Sequence, residues 1–91
     1  MPLVIDVRND DEFDSGHVAG ALNIPPEKFM AKELIAELSD VNKDEQVILY
    51  CRTGSRSNVV AHIMADLGFT NVINGINQGH VEQMLRTREP A

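Results

Sequence analysis

The chain has 91 residues, 43% of them hydrophobic, and a formal net charge of −6 from 8 Lys and Arg against 14 Asp and Glu. That is room for one small core and no second one, so a single domain over residues 1–91 is expected. The acidic balance speaks against a nucleic-acid footprint, no apolar run approaches the roughly 20 residues of a membrane span, and one cysteine leaves neither an intrachain disulfide nor a thiolate zinc site.

Met1-Pro2-Leu3 passes straight into a strand pattern with no basic-plus-apolar leader. A cytoplasmic protein is therefore expected, the alternative being a mature periplasmic domain without its leader. Leu3 to Val7 reads as a short buried strand, with Asp6, Val7 and Arg8 at its C-terminal edge. Asn9-Asp10-Asp11 is a helix start, and Gly16 ends a short helix that carries Glu12 and Phe13. His17 to Gly20 is a turn, and Ala21 to Ile24 a second strand stopped by Pro25-Pro26. Met30, Leu34, Ile35 and Leu38 recur on one face of a helix. Ser39 to Glu45 is a polar turn, most simply a solvated surface, and Gln46 to Tyr50 a strand apolar on both faces, as a covered parallel strand should be. After the turn Cys51 to Arg56 a helix begins at Ser57, with Val59, Val60, Ile63, Met64 and Leu67 as its buried stripe. Gly68 fits a left-handed cap with Phe69 folded back on the helix. Asn71 to Ile73 is a fourth strand, Asn74-Gly75 a turn, and Ile76 to Arg88 a last helix packing Val81, Met84 and Leu85. Strands alternating with helices imply an α/β fold, a mostly parallel sheet between helix layers.

The chain's one cysteine thus stands where a buried strand gives way to a loop and then a helix. Backbone N–H groups in such a turn point inward, and the helix presents its positive end. A thiol placed there ionises more readily than one in solution, whose pKa is about 8.5. Arg52 and Arg56 push the same way. Ligands of open parallel sheets bind beyond the carboxyl ends of the strands, where Cys51 lies.

Two motifs resemble the rhodanese domain, the fold of the sulfurtransferases. Val4 to Pro25, V-I-D-V-R-x4-F-x2-G-H-V-x-G-A-x-N-I-P, resembles the family's N-terminal signature, and VILYCRTGSRS resembles its active-site loop. With Gly68-Phe69-x-Asn71-Val72 the likeness runs over nearly the whole chain, in what resembles the minimal single-domain form. Asn74-Gly75 replaces the family's usual Gly-Gly before the last helix, and Gly79 lies near the place of a tryptophan often found there. The resemblance implies a three-layer sandwich and a Cys51 that accepts a sulfane sulfur as a persulfide. Its donor would be a thiosulfate-like anion. With no second cysteine to resolve the persulfide, the acceptor must be external: cyanide in an assay, or a cellular thiol or thioredoxin-like partner.

The loop residues suit that chemistry. Arg52 and Arg56 can clamp a sulfonate through charge-assisted hydrogen bonds. Gly54 permits the tight backbone path, and Thr53 and Ser55 add N–H groups and hydroxyls. Phosphatases of this fold carry Cys-x5-Arg, but here that position is Ser57 and Arg56 comes one residue early, which favours a single sulfur over a phosphate. Structural readings compete elsewhere. A lone cysteine is usually a small buried hydrophobe, a poor description of one between Tyr50 and Arg52. Asp6 and Arg8 read as a structural pair beneath the loop, with Glu12 another candidate. His17 reads as a turn-stabilising donor or acceptor rather than a base, and His62 as exposed. Met30, Met64 and Met84 sit at core spacing. The three histidines share no metal-ligand spacing, so neither a metal nor another cofactor is expected, and a monomer is. Two further readings are a sulfur carrier and a binding-only module.

Overall fold

Four strands line up in the order β2-β1-β3-β4, every neighbouring pair parallel. The structure, a computed structural model, describes residues 2–30 and 35–88, apart from the side chain of Arg88. In chain order the elements are β1 (Leu3–Asp6), α1 (Asp10–Asp14), β2 (Leu22–Asn23), two short 3-10 turns (Pro26–Phe29 and Ala36–Leu38), β3 (Val47–Cys51), α2 (Ser55–Asp66), β4 (Val72–Asn77) and α3 (Gln78–Arg88). The alternation of side chains along the central strands explains the layering. Ile5, Val47, Leu49 and Cys51 meet Phe29, Leu38, Val60, Ile63 and Met64 on one face. Val4, Ile48 and Tyr50 meet Phe13, Val18, Val81, Met84 and Leu85 on the other. This is an α/β sandwich, its sheet parallel throughout.

The chain leaves β1 for one edge of the sheet and leaves β3 for the other. The connections therefore part company between β1 and β3, and the crevice beyond the carboxyl ends of these two strands is where such sheets bind ligands. Arg8 and Cys51 flank it.

Several elements end as the sequence indicates. Gly68 is left-handed (φ 99°), its N–H bonds to Ala65 O (3.0 Å), and the N–H of the buried Phe69 reaches Met64 O (3.1 Å). That pair of bonds is the Schellman stop of α2. Others differ. α2 begins two residues earlier than Ser57, because Ser55 and Arg56 are already helical. Val59 lies outside its buried stripe at 46% exposure, while Val60, Ile63 and Met64 fill it. No continuous helix links Met30 to Leu38: Ile35 is extended (φ −83°, ψ 155°) and Met30 is 53% exposed, whereas the neighbouring Phe29 is buried. Leu34 lies outside the described residues. β2 is only two residues long.

The largest departure is at β4. Asn74-Gly75, an expected turn, lies inside the strand, and α3 starts at Gln78 rather than Ile76. Pairing runs Leu49 with Asn74 but Cys51 with Asn77, so β4 carries one extra residue, a bulge. Gly75 faces the core at this point. A Cβ there would stand 2.4 Å from Val81 Cγ2, 2.9 Å from Ile48 Cγ2 and 3.1 Å from Leu49 O. Gly75→Ala is therefore expected to cost about 1–3 kcal/mol by overpacking. Urea unfolding of the variant alone, and of its combination with Val81→Ala, should show part of the loss recovered in the double variant.

Candidate active site

β3 delivers Cys51 to the carboxyl edge of the sheet with its side chain on the α2 face. The next three residues form the loop, and Gly54 closes it. Gly54 is left-handed (φ 93°) and immediately precedes α2; a side chain here would be strained by the backbone alone. That conformation turns the Gly54 N–H back onto Cys51 Sγ at 3.1 Å. The Ser57 hydroxyl, on the first turn of α2, lies 3.6 Å from the same sulfur. Cys51 is 1% exposed, so the sulfur sits at the floor of a closed cradle rather than on a rim. Burial pushes the thiol up, but hydrogen bonds from the Ser57 hydroxyl and from the amides of Ser57, Thr53 and Gly54 outweigh it, and the thiol is brought down to about 7. The direction is the one the turn geometry implies, and its leading causes are these hydrogen bonds rather than the arginines.

The arginines are engaged elsewhere. Arg56 Nη1 and Nη2 fork onto Glu12 Oε1 and Oε2 at 2.9 and 3.2 Å. Arg52, 72% exposed, has Nη1 at 3.9 Å from Glu12 Oε2. Glu12 also accepts the Asn9 N–H at 3.0 Å, so one carboxylate both caps α1 and ties it to the loop. The bond from Arg56, seconded by that from Asn9, lowers its carboxyl to about 2. A carboxylate lowered by folding stabilises the native state above its unfolded value and loses that contribution as pH falls through its folded value. The stability difference between wild type and Glu12→Gln should accordingly shrink as pH falls from about 4.5 to about 2. Urea midpoints taken across that interval test it; a constant difference would mean that the ion pair does not tie α1 to the loop.

Asp6 and Arg8 pair as expected, though not beneath the loop. Asp6 sits opposite Tyr50 in the register, on the face away from Cys51. Arg8 Nη2 meets Asp6 Oδ2 at 2.7 Å, Arg8 Nε bonds to both carboxylate oxygens, and the guanidinium lies 5.4 Å over the Tyr50 ring. Arg8 Nη2 also donates to Gly16 O at 2.7 Å, which fixes the end of α1. Desolvation comes first in pushing Tyr50 up to about 12, and its hydroxyl accepts the Val18 N–H at 3.0 Å. The exposed His17 stacks on Phe13 (3.6 Å) and bonds through Nδ1 to Phe13 O (2.8 Å), the turn role read for it. His62 is exposed. Thr53 and Ser55 bond to each other through their hydroxyls at 3.2 Å on the outer side of the loop. Among the described residues no three His, Cys, Asp or Glu side chains gather as metal ligands, and no helix is long and apolar enough to cross a membrane.

Two site residues escaped the sequence reading. Ser57 is fully buried. Asn74, on the bulged stretch of β4, donates from Nδ2 to Gly54 O (3.0 Å) and accepts at Oδ1 from Ser57 Oγ (2.6 Å) and the Ile76 N–H (3.0 Å). Ile76 itself is left-handed (φ 76°), a costly state for a β-branched residue. The bond to Asn74 supports that strain, and the bulge brings Ile76 against Gly54. The only legible signal was the replacement of the family's first glycine by Asn74.

Known proteins share this fold. A rhodanese from Escherichia coli, solved with anions, superposes with a TM-score of 0.76 at 32% identity, over 88% of this chain and 91% of that one. A human single-domain sulfurtransferase shares the fold with a TM-score of 0.71 at 21% identity, over 97% and 84%. The tRNA uridine(34) hydroxylase of Photorhabdus laumondii is 32% identical over 88 residues, 96% of this chain but 25% of that protein. The chain thus spans about a quarter of the length of the curated relatives it matches. The family model for the rhodanese-like domain matches residues 1–81, which takes in both motifs, the cysteine cradle and the bulged strand, and the chain belongs to that family.

Proposed function

We propose that this protein is a sulfurtransferase that moves a sulfane sulfur from a thiosulfate-like anion to an external thiophile through a persulfide on Cys51. The observation that carries the reading is the cradle: one thiol, lowered to about 7, under the Gly54 N–H and the Ser57 hydroxyl. The thiolate attacks the outer sulfur of thiosulfate, the S–S bond of the donor breaks, and sulfite leaves with the bonding pair. The charge then rests on the outer sulfur of Cys51–S–S⁻, and amides turned inward stabilise it as they would an oxyanion. Cyanide or a thiolate takes that sulfur and returns Cys51 as the thiolate, so the cycle is redox-balanced and needs no cofactor. Arg52 is the freer anion-binding group. Arg56 reaches a donor only in competition with Glu12, and the two arginines and one carboxylate leave the rim with a single excess positive charge. The acceptor in the cell would be a thiol or thioredoxin-like protein, in a cytoplasmic setting, with the chain acting as a monomer.

The test is intact mass before and after thiosulfate, followed by thiocyanate release on adding cyanide. Gain of one sulfur atom with turnover supports the enzyme. Gain without turnover makes the chain a carrier, and no gain makes it a binding module.

A second reading follows from the curated relatives, named as tRNA uridine(34) hydroxylases. In it the chain is the rhodanese unit of a longer RNA-modifying protein. Its net charge of −6 gives the unit no cationic footprint of its own, so the RNA would be held by other parts of that protein. Retention of tRNA by the isolated chain at physiological salt would argue against this division of labour.

A further inference from the structure

The Ser57 hydroxyl has one proton and three acceptors around it. Asn74 Oδ1 is at 2.6 Å, Gly54 O at 3.2 Å and Cys51 Sγ at 3.6 Å. The orientation of the Asn74 amide is fixed by its neighbours. Its Oδ1 faces the Ile76 N–H and its Nδ2 faces the Gly54 carbonyl, and a flipped amide would set donor against donor and acceptor against acceptor. Asn74 Oδ1 is therefore an acceptor, and at 2.6 Å it takes the Ser57 proton. While Cys51 is a thiol, the Ser57 lone pairs face the sulfur and can accept its S–H. Bonding to the thiolate requires the hydroxyl to turn and give up Asn74.

We propose that Asn74 is a positioning residue that governs the reactivity of Cys51 by competing with the thiolate for the single Ser57 proton, so that part of what Ser57 gives the thiolate is offset by the lost bond to Asn74. It touches no reacting atom and acts through Ser57. Asn74 can do this because the bulge in β4 and the left-handed Ile76 bring its amide over the start of α2. The charged groups around the sulfur stay the same whichever way the hydroxyl points: Arg56 and Arg52 of the loop segment, paired with Glu12 of α1. Asp6 and Arg8 pair on the other face of the sheet, and His80 of α3 bonds to Gly75 O at 2.8 Å. The inference deepens the sulfur-transfer reading, but its test needs no donor and no acceptor.

Cys51 is the one cysteine of the chain, so ultraviolet absorbance of the thiolate follows its ionisation directly. The one tyrosine is pushed up to about 12 and stays out of the window. Ser57→Ala removes the hydroxyl and should raise the midpoint by about one pH unit, the size expected for one hydrogen bond to a charged group. Asn74→Ala releases the hydroxyl to the sulfur and should lower the midpoint. The double variant should titrate like Ser57→Ala alone, because the Gly54 N–H is aimed at the sulfur by the left-handed backbone of Gly54 and not by the Asn74 bond to the Gly54 carbonyl. A midpoint in Asn74→Ala that is unmoved or raised overturns the proposal, as does a double variant that differs from Ser57→Ala. Circular dichroism establishes that each variant is folded. Should Asn74→Ala fail to fold, Asn74→Gly, which restores the family's usual glycine pair, carries the same expectations. Failure of these shifts beside normal sulfur loading would remove the role of Asn74 and leave the transferase. Shifts as expected without loading would do the reverse.

Discussion

Cys51→Ser is expected to abolish sulfur loading and thiocyanate release together, with turnover falling by at least about a thousandfold. Serine keeps the size of the side chain and can still accept the Gly54 N–H, so the cradle and the fold should survive. What is lost is the chemistry. A hydroxyl stays protonated near neutrality and its oxygen cannot become the sulfur anion on which the second half of the cycle depends. In the wild type the rate should rise with pH and level off through about 7, because the thiolate is the attacking form and its folded value lies there. Stopped-flow loading with thiosulfate across pH 5 to 9 measures this. An inflection at the ordinary thiol value would mean that the amides and the Ser57 hydroxyl do not stabilise the thiolate.

The place of Cys51 was readable because it depends on local events: an apolar strand ends, a glycine turn follows and a helix begins. The Gly68-Phe69 stop is equally local, since its bonds close within one helix turn. The features that escaped depend on residues far apart in the chain. Glu12 and Arg56 are 44 residues apart, and nothing near Arg56 shows that its fork is occupied. Asn74-Gly75 carries a strong turn signal. The irregular backbone it suggests is present, but pairing with β3 makes it a bulge within a strand, and the left-handed residue is Ile76 rather than the glycine. Ser57 looked like a helix start because small polar residues favour that position; its burial follows from β4 lying across it. Apolar spacing around Met30 suggested one helix face. Phe29 takes the buried place instead, having more apolar surface to remove from water, and the extended Ile35 breaks the periodicity.

The same long-range logic makes Asp6→Ala the most damaging change to the fold outside the apolar core. Asp6 is fully buried and supplies both oxygens to the Arg8 guanidinium, as well as accepting the Arg8 backbone N–H at 2.9 Å. Removing it strands a cation that is itself buried to within a tenth of its side-chain surface. Breaking such a pair from one side costs about 3–5 kcal/mol, against a total of roughly 5–14 kcal/mol for a chain of this length. Arg8 would keep only Gly16 O and the Tyr50 ring. The urea midpoint should fall accordingly. Replacing both partners by apolar residues, Asp6→Leu with Arg8→Met, should recover much of the loss, because an apolar pair leaves no unpaired charge. Loss of the Arg8–Gly16 bond should also free the end of α1, and with it Glu12, so the double variant should regain stability without regaining full donor binding. Recovery of both together would mean that the ion pair is only filler between the strand ends. Recovery of stability alone assigns it the task of holding α1, and through Glu12 the arginines, over the cysteine loop.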